Sequence, residues 1–240
     1  MGADAPGGVR PARVAVLASG GGSNLQALLD HEPAAGGAYR VVLAASDRAA
    51  AGALERAAAR GVATAHLADP ADGDALLALL AAHGAELVVL AGYLKLVPAA
   101  VTAAYAGRLL NVHPALLPAF GGPGMYGRRV HAAVLGAGAR VSGATVHFVD
   151  EHYDRGAIAA QWPVPVLAGD TPERLAARVL AAEHALLPRA VAAVASGRLA
   201  LGPDGRVRGA APVPESHYAL APGPAPSPHV VDRLFAAGPA

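Results

Sequence analysis

The apolar run Val14-Ala15-Val16-Leu17-Ala18 stops abruptly at Ser19-Gly20-Gly21-Gly22-Ser23-Asn24, after which Leu25, Leu28 and Leu29 fall at helical spacing. No other feature narrows the fold as much. A short apolar run without alternation suits a strand buried on both faces, and such strands belong to parallel sheets covered by helices. The glycines let the chain turn sharply from strand into helix. The unit then recurs. Val41-Val42-Leu43-Ala44 reads as a second strand, 49–60 as a helix, 64–67 as a short strand, 74–83 as a helix and Leu87-Val88-Val89-Leu90 as a further strand. This alternation predicts an α/β fold: an open, mostly parallel, doubly wound sheet with helices on both faces.

Farther along, Arg108-Leu109-Leu110-Asn111-Val112 reads as a strand ending in polar chemistry, and Gly121-Gly122-Pro123-Gly124 as a loop. Residues 130–135 read as helical; 145–149 and 158–166 read as strands separated by a loop carrying Asp154. A long helix follows, with Thr171 as N-cap, Pro172 at its first position and an apolar face of Leu175, Val179, Leu180, Leu186 and Leu187. Pro188 is expected to kink or end it. One domain is expected over 13–201, with a flexible tail at 1–12. A Pro-rich, partly disordered tail is expected at 202–240, where Pro222, Pro224, Pro226 and Pro228 alternate with small residues.

With 54% hydrophobic and 15% charged residues among 240, the chain can bury a sizeable core and is not a disordered type. A formal net charge of +1 and no Lys/Arg run give no electrostatic case for nucleic acid or an anionic membrane. No apolar run approaches the ~20 residues of a membrane span, and the N-terminus lacks a signal pattern. A cytoplasmic enzyme is the expectation. With no cysteine, a thiol acyl-enzyme is excluded and a structural zinc is not expected.

The chemistry gathers at Asn111-Val112-His113-Pro114 and at Asp154. Asn111 and His113 are two apart, so both side chains face one way at the C-terminal end of a strand, where open parallel sheets bind ligands. An amide can hold a developing oxyanion, an imidazole can move a proton near neutral pH, and a carboxylate can orient the imidazole and take an amine proton. The bland alternatives are a satisfied core histidine and an Asx-turn aspartate. The Ser19–Asn24 loop reads as an anion site at a helix N-terminus, with a plain tight turn capped by Ser23 as the alternative. Leu25 occupies the third glycine position of a dinucleotide fingerprint, which leaves only Asp47 in favour of a nicotinamide enzyme. His147, mid-strand, reads as a supporting residue. No histidine spacing suggests a metal.

These residues also carry a resemblance. Val16–Gln26, Leu90-Ala91-Gly92-Tyr93-Leu94-Lys95, Leu109–Pro118, Gly143–Asp150, Asp154-Arg155-Gly156 and Glu183-His184, in that order, resemble the folate-dependent phosphoribosylglycinamide formyltransferases. The likeness spans roughly 13–201 and implies a Rossmann-like formyltransferase fold. It implies transfer of the formyl group of 10-formyltetrahydrofolate to the amine of glycinamide ribonucleotide, a one-carbon step of purine biosynthesis. Asn111, His113 and Asp154 would be the catalytic set, with Asp154 ionised and His113 cationic. Gly21, Gly22, Ser23 and Asn24 would hold the substrate phosphate and Glu183 the ribose. Leu90, Leu94, Lys95, Leu96 and Val97, with Asn111, Asp150 and Asp154, would form the folate pocket. No metal and no nicotinamide are implied, and the protein would be a monomer or homodimer. Two departures stand out. The loop Ala119–Gly127 is longer than the family's common Pro-Gly turn, with Tyr126 about where many members carry histidine. Arg155 replaces a common small residue, to rest on the Asp154 carboxylate or point to solvent.

Rival readings differ by one feature each. A formyltetrahydrofolate deformylase would replace the amine by water, but its relatives usually carry an N-terminal regulatory domain for which a first strand at Arg13 leaves no room. A methionyl-tRNA formyltransferase would want a basic C-terminal domain. A nicotinamide-dependent oxidoreductase would use the glycine loop and Asp47. A catalytically silent folate- or nucleotide-binding module would lack the three polar residues that are present.

Overall fold

A computed structural model describes residues 10–32 and 37–209. Seven strands form one sheet in the order β3-β2-β1-β4-β5-β6-β7. They are β1 (Ala12–Leu17), β2 (Tyr39–Ser46), β3 (Ala63–His66), β4 (Leu87–Leu90), β5 (Leu109–His113), β6 (Val141–Phe148) and β7 (Ile158–Pro165). Pairings from β3 through β5 are parallel; β5–β6 and β6–β7 are antiparallel. The predicted doubly wound, mostly parallel sheet is therefore present, with an antiparallel edge.

The helices are α1 (Ser23–His31), α2 (Gly52–Ala59), α3 (Gly73–Ala82), α4 (Ala99–Ala104), α5 (Arg128–Gly136) and α6 (Pro172–Ala195). They cover both faces, because each central strand is apolar on both sides. Val14 and Val16 join Leu25, Leu28, Val134, Leu186 and Leu187 in one core. Ala15 and Leu17 join Leu76, Leu80 and Val101 in the other. No helix among the described residues is long and apolar enough to cross a membrane.

The long helix starts as its sequence predicts, with Thr171 Oγ1 accepting from the Arg174 backbone N–H at 3.3 Å. It does not stop at Pro188. Leu186, Leu187, Ala190 and Val191 around the proline are all fully buried. Burying a Leu or Val side chain is worth about 1.5–3 kcal/mol. Several together outweigh the ~3 kcal/mol of a proline within a helix. Other departures are smaller. The α4 turn of small residues gives no periodic signal. A short hairpin, β8 (Ala200–Leu201) with β9 (Val207–Arg208), runs across the expected boundary at 201/202. The rest of the expected C-terminal tail, 210–240, and most of the N-terminal one, 1–9, lie outside the described residues.

The sheet order turns between β1 and β4, the place where doubly wound sheets open a crevice. The loops after those strands are tied together there. Ser19 N–H donates to Gly92 O at 3.0 Å, and Leu94 N–H donates to Ser19 Oγ at 2.9 Å.

Candidate functional site

The glycine loop enters α1 through Gly22, which takes a left-handed φ of 76° and serves as N-cap without a side-chain bond. Ser23 is thus the first helical residue and not the cap. A Cβ on Gly22 would lie 2.6 Å from the Ala53 Cα, so α2 presses directly on the loop. Ala53 N–H donates to Gly20 O at 3.1 Å, and Arg56 Nε–H donates to Gly21 O at 2.7 Å. Two successive carbonyls are held toward α2. The helix N-terminus keeps its free N–H groups, an arrangement that favours an anion. Asn24, the next residue in, is buried and donates from Nδ2 to Glu183 Oε2 at 2.6 Å. The Asn24 side chain therefore serves Glu183, leaving its backbone for the loop. Burial pushes the Glu183 carboxyl up to about 7, which the Asn24 hydrogen bond only partly offsets.

Asn111 and His113 share one face of β5, as their spacing predicts. The antiparallel register places His147 of β6 directly opposite Asn111. His147 Nδ1 lies 2.8 Å from Phe148 O, which turns Nε2 to Asn111 Nδ2 at 3.1 Å and to Asp154 Oδ1 at 3.6 Å. Asn111 Nδ2 also approaches Asp154 Oδ1 at 3.4 Å. His113 Nδ1 lies 3.5 Å from Asp154 Oδ2, and His113 Nε2–H donates to Phe120 O at 2.9 Å. The β6–β7 loop thus folds back to set Asp154 against both β5 side chains. Asp154 has a left-handed φ of 56°, which aspartate tolerates better than most residues. Arg155 beside it is exposed and takes the solvent alternative.

The Ala119–Gly127 loop is part of this cluster. Phe120 offers its carbonyl to His113, and the Gly122 N–H donates to Asp154 Oδ2 at 2.8 Å. Gly121 between them has no room for a side chain, since a Cβ would lie 2.5 Å from Leu117 Cδ2 and 3.1 Å from Asp154 Cβ. Burial opposes ionisation of Asp154, but His147, His113 and the Gly122 N–H together hold its carboxyl below the usual range. At His113 burial wins: the imidazole lies below its ordinary value although the Asp154 carboxylate pulls it up.

One cavity of about 590 Å³ joins these parts. Asn24 and Glu183, bonded to each other, line it, and so do Asn111, His113, His147 and Asp154. Leu90, Leu94, Lys95, Leu96, Val97 and Asp150, all expected from sequence, line it too. Gly21, Gly22 and Ser23 stand outside its lining. Sequence reasoning missed Met125, Tyr126, Arg128, His131 and Tyr153, which also line it. For Tyr126 the signal was the length of its loop. His131 offered one too: a histidine between Val130 and Val134 on an otherwise apolar helix face. Leu96 at 47% and Tyr126 at 43% exposure form an apolar rim at the mouth. Leu25, at the third glycine position, is fully buried in the core, and Asp47 is not part of the cavity wall.

The model of the formyl transferase family matches residues 12–191. A chloroplastic phosphoribosylglycinamide formyltransferase of Arabidopsis thaliana is 45% identical over 205 residues, covering 82% of this chain and 70% of the relative. A phosphoribosylglycinamide formyltransferase of Mycobacterium tuberculosis is 47% identical over 193 residues, covering 78% of this chain and 86% of the relative. The crystal structure of glycinamide ribonucleotide transformylase 1 from Symbiobacterium toebii superimposes with a TM-score of 0.76 at 44% identity, covering 82% of this chain and 93% of that one. On the length of these matches and the shared sheet, the chain belongs to the formyl transferase family, within its phosphoribosylglycinamide formyltransferase group.

Proposed function

We propose that the protein transfers the formyl group of 10-formyltetrahydrofolate to the amine of glycinamide ribonucleotide, a step of purine biosynthesis, as a cytoplasmic enzyme working without a nicotinamide or a metal. One observation carries the reading. Asn111, His113 and Asp154 meet in the wall of a cavity whose lining also includes two groups of residues of different chemistry. The glycine loop, Asn24 and Glu183 suit a ribose phosphate. The lining residues Leu90, Leu94, Lys95, Leu96, Val97 and Asp150 suit the flat pterin and aromatic portion of the donor. The family match over residues 12–191 supports a catalytic domain of about 13–201.

The amine attacks the formyl carbon, and negative charge develops on the formyl oxygen. Asn111 Nδ2 is placed to hydrogen-bond that oxygen. Of its two contacts, the 3.4 Å approach to Asp154 is the weaker and the one given up. His147 keeps the amide oriented through the other. The attacking amine loses a proton to the ionised Asp154, directly or through water. His113 beside it relays that proton to the folate nitrogen as the C–N bond breaks. No net proton or water is consumed, and no covalent enzyme intermediate forms.

Incubation with 10-formyltetrahydrofolate, with and without glycinamide ribonucleotide, tests the reading through the folate absorbance. Turnover only with the ribonucleotide supports it. Equal turnover in its absence would instead establish the deformylase reaction.

A further inference from the structure

Asn111, His113, His147 and Asp154 in the cavity wall all have hydrogen-bond or ion-pair partners, whereas His131 does not. His131, on α5, lines the cavity and is only 4% exposed, yet neither ring nitrogen has a hydrogen-bond partner among the described residues, and Nδ1 is a buried atom. Its Nδ1 is wholly enclosed by protein. An enclosed N–H without an acceptor is rarer and costlier than a lone pair without a donor, which assigns the proton to Nε2, the nitrogen left to face the cavity. Burial, and then the neighbouring His113, keep the ring below its ordinary value and hence uncharged at neutral pH. An uncharged N–H suits a carbonyl oxygen better than a phosphate.

Its place decides which carbonyl. His113 lies on one side, and α6, against which α5 packs, presents Leu180 and Glu183 to the same cavity. The part of the acceptor that spans from a ribose at Glu183 to an amine at His113 is the glycinamide arm, which carries one amide carbonyl. Resting on the function proposed above, we propose that His131 is a substrate-binding residue whose Nε2–H donates a hydrogen bond to the amide carbonyl of the acceptor. It orients the arm so that the amine faces the formyl carbon.

The test compares His131→Gln, His131→Asn and His131→Leu. Glutamine carries an amide N–H about where Nε2 stands; asparagine reaches only the Nδ1 position; leucine has no donor. Binding of glycinamide ribonucleotide is followed by titration calorimetry without folate, alongside steady-state KM for both substrates. Loss of the bond is expected to weaken ribonucleotide binding roughly tenfold in the Asn and Leu variants, with the Gln variant near wild type and the folate KM unchanged in all three. Should the Leu variant fail to fold, the Gln and Asn pair decides alone. Gln as weak as Asn, Asn as tight as wild type, or an effect on folate in place of the ribonucleotide overturns the proposal. Wild-type protein that fails to bind the ribonucleotide overturns the function itself; wild-type binding with no difference between Gln and Asn overturns only the role of His131.

Discussion

Asn24 donates its amide N–H to Glu183 at 2.6 Å, joining residues 159 apart in sequence and fixing the glycine loop to the middle of the longest helix. The contact makes Glu183 an unusual carboxyl. Buried and bonded to a neutral donor, it keeps its proton up to about pH 7, against 4.5 for the ordinary group. Between those values the folded protein binds more protons than the unfolded chain, so this residue makes stability fall as pH rises through that window. Glu183→Gln is neutral throughout and still offers Asn24 an oxygen. Its melting temperature should drop less than that of wild type between about pH 5 and about pH 8. Parallel curves for the two proteins would place the pH dependence elsewhere. The same variant should raise the ribonucleotide KM, because it replaces an acceptor oxygen by a donor.

The close approach of Gly22 to Ala53 makes a second prediction. Any side chain at Gly22 must push α2 away and adopt a φ that only glycine reaches without strain. Gly22→Val should therefore displace the loop's N–H groups. The ribonucleotide KM is expected to rise on the order of tenfold or more, with the folate KM nearly unchanged. A variant whose folate affinity falls while ribonucleotide affinity holds would reverse the assignment of the two groups of residues to their substrates.

Much of this was legible in the sequence, and the reasons differ by residue. The β1 run, its glycine turn and the Asn111–His113 spacing are local patterns with a fixed geometric meaning, and the structure keeps all three. Asp154 is different. Its loop reads as a turn, and only the fold-back over β5 gives it partners; the resemblance supplied what local chemistry could not. Pro188 misled because a local rule was outweighed by burial along α6 that no short window contains. His131 escaped because an isolated histidine on an apolar face is usually a packed residue, and its missing partners are visible only in three dimensions.

A third prediction concerns the loop that grips the catalytic cluster. Gly121 passes over Asp154 so closely that even a methyl group would move it. Gly121→Ala should withdraw the Gly122 N–H, one of the groups that hold the Asp154 carboxyl low. The acid limb of the kcat/KM profile should then shift to higher pH, since Asp154 acts in its ionised form. An unchanged limb with a reduced plateau would mean that the loop positions substrate and leaves Asp154 alone.

The last prediction concerns Asp154 and His113 together. In the proposed mechanism they pass one proton from the amine to the departing folate nitrogen. Either alone is of little use, and the 3.5 Å between His113 Nδ1 and Asp154 Oδ2 makes them one device. General acid–base catalysis of this kind is worth roughly 10²–10⁴ in rate. His113→Ala and Asp154→Asn should each lower kcat by about that amount, with a small change in ribonucleotide KM, because the proton moves only in the transition state. The double variant should lose far less than the product of the single losses, since removing one member already idles the other. Asn111→Ala acts on the oxyanion instead and should cost on the order of 10²–10³ in kcat. Its combination with Asp154→Asn should come closer to multiplicative, damped only by the 3.4 Å contact between them. Independent losses for His113 and Asp154, or an Asp154→Asn protein of near wild-type rate, would remove Asp154 from the proton path and leave Asn111 and His113 to another partner.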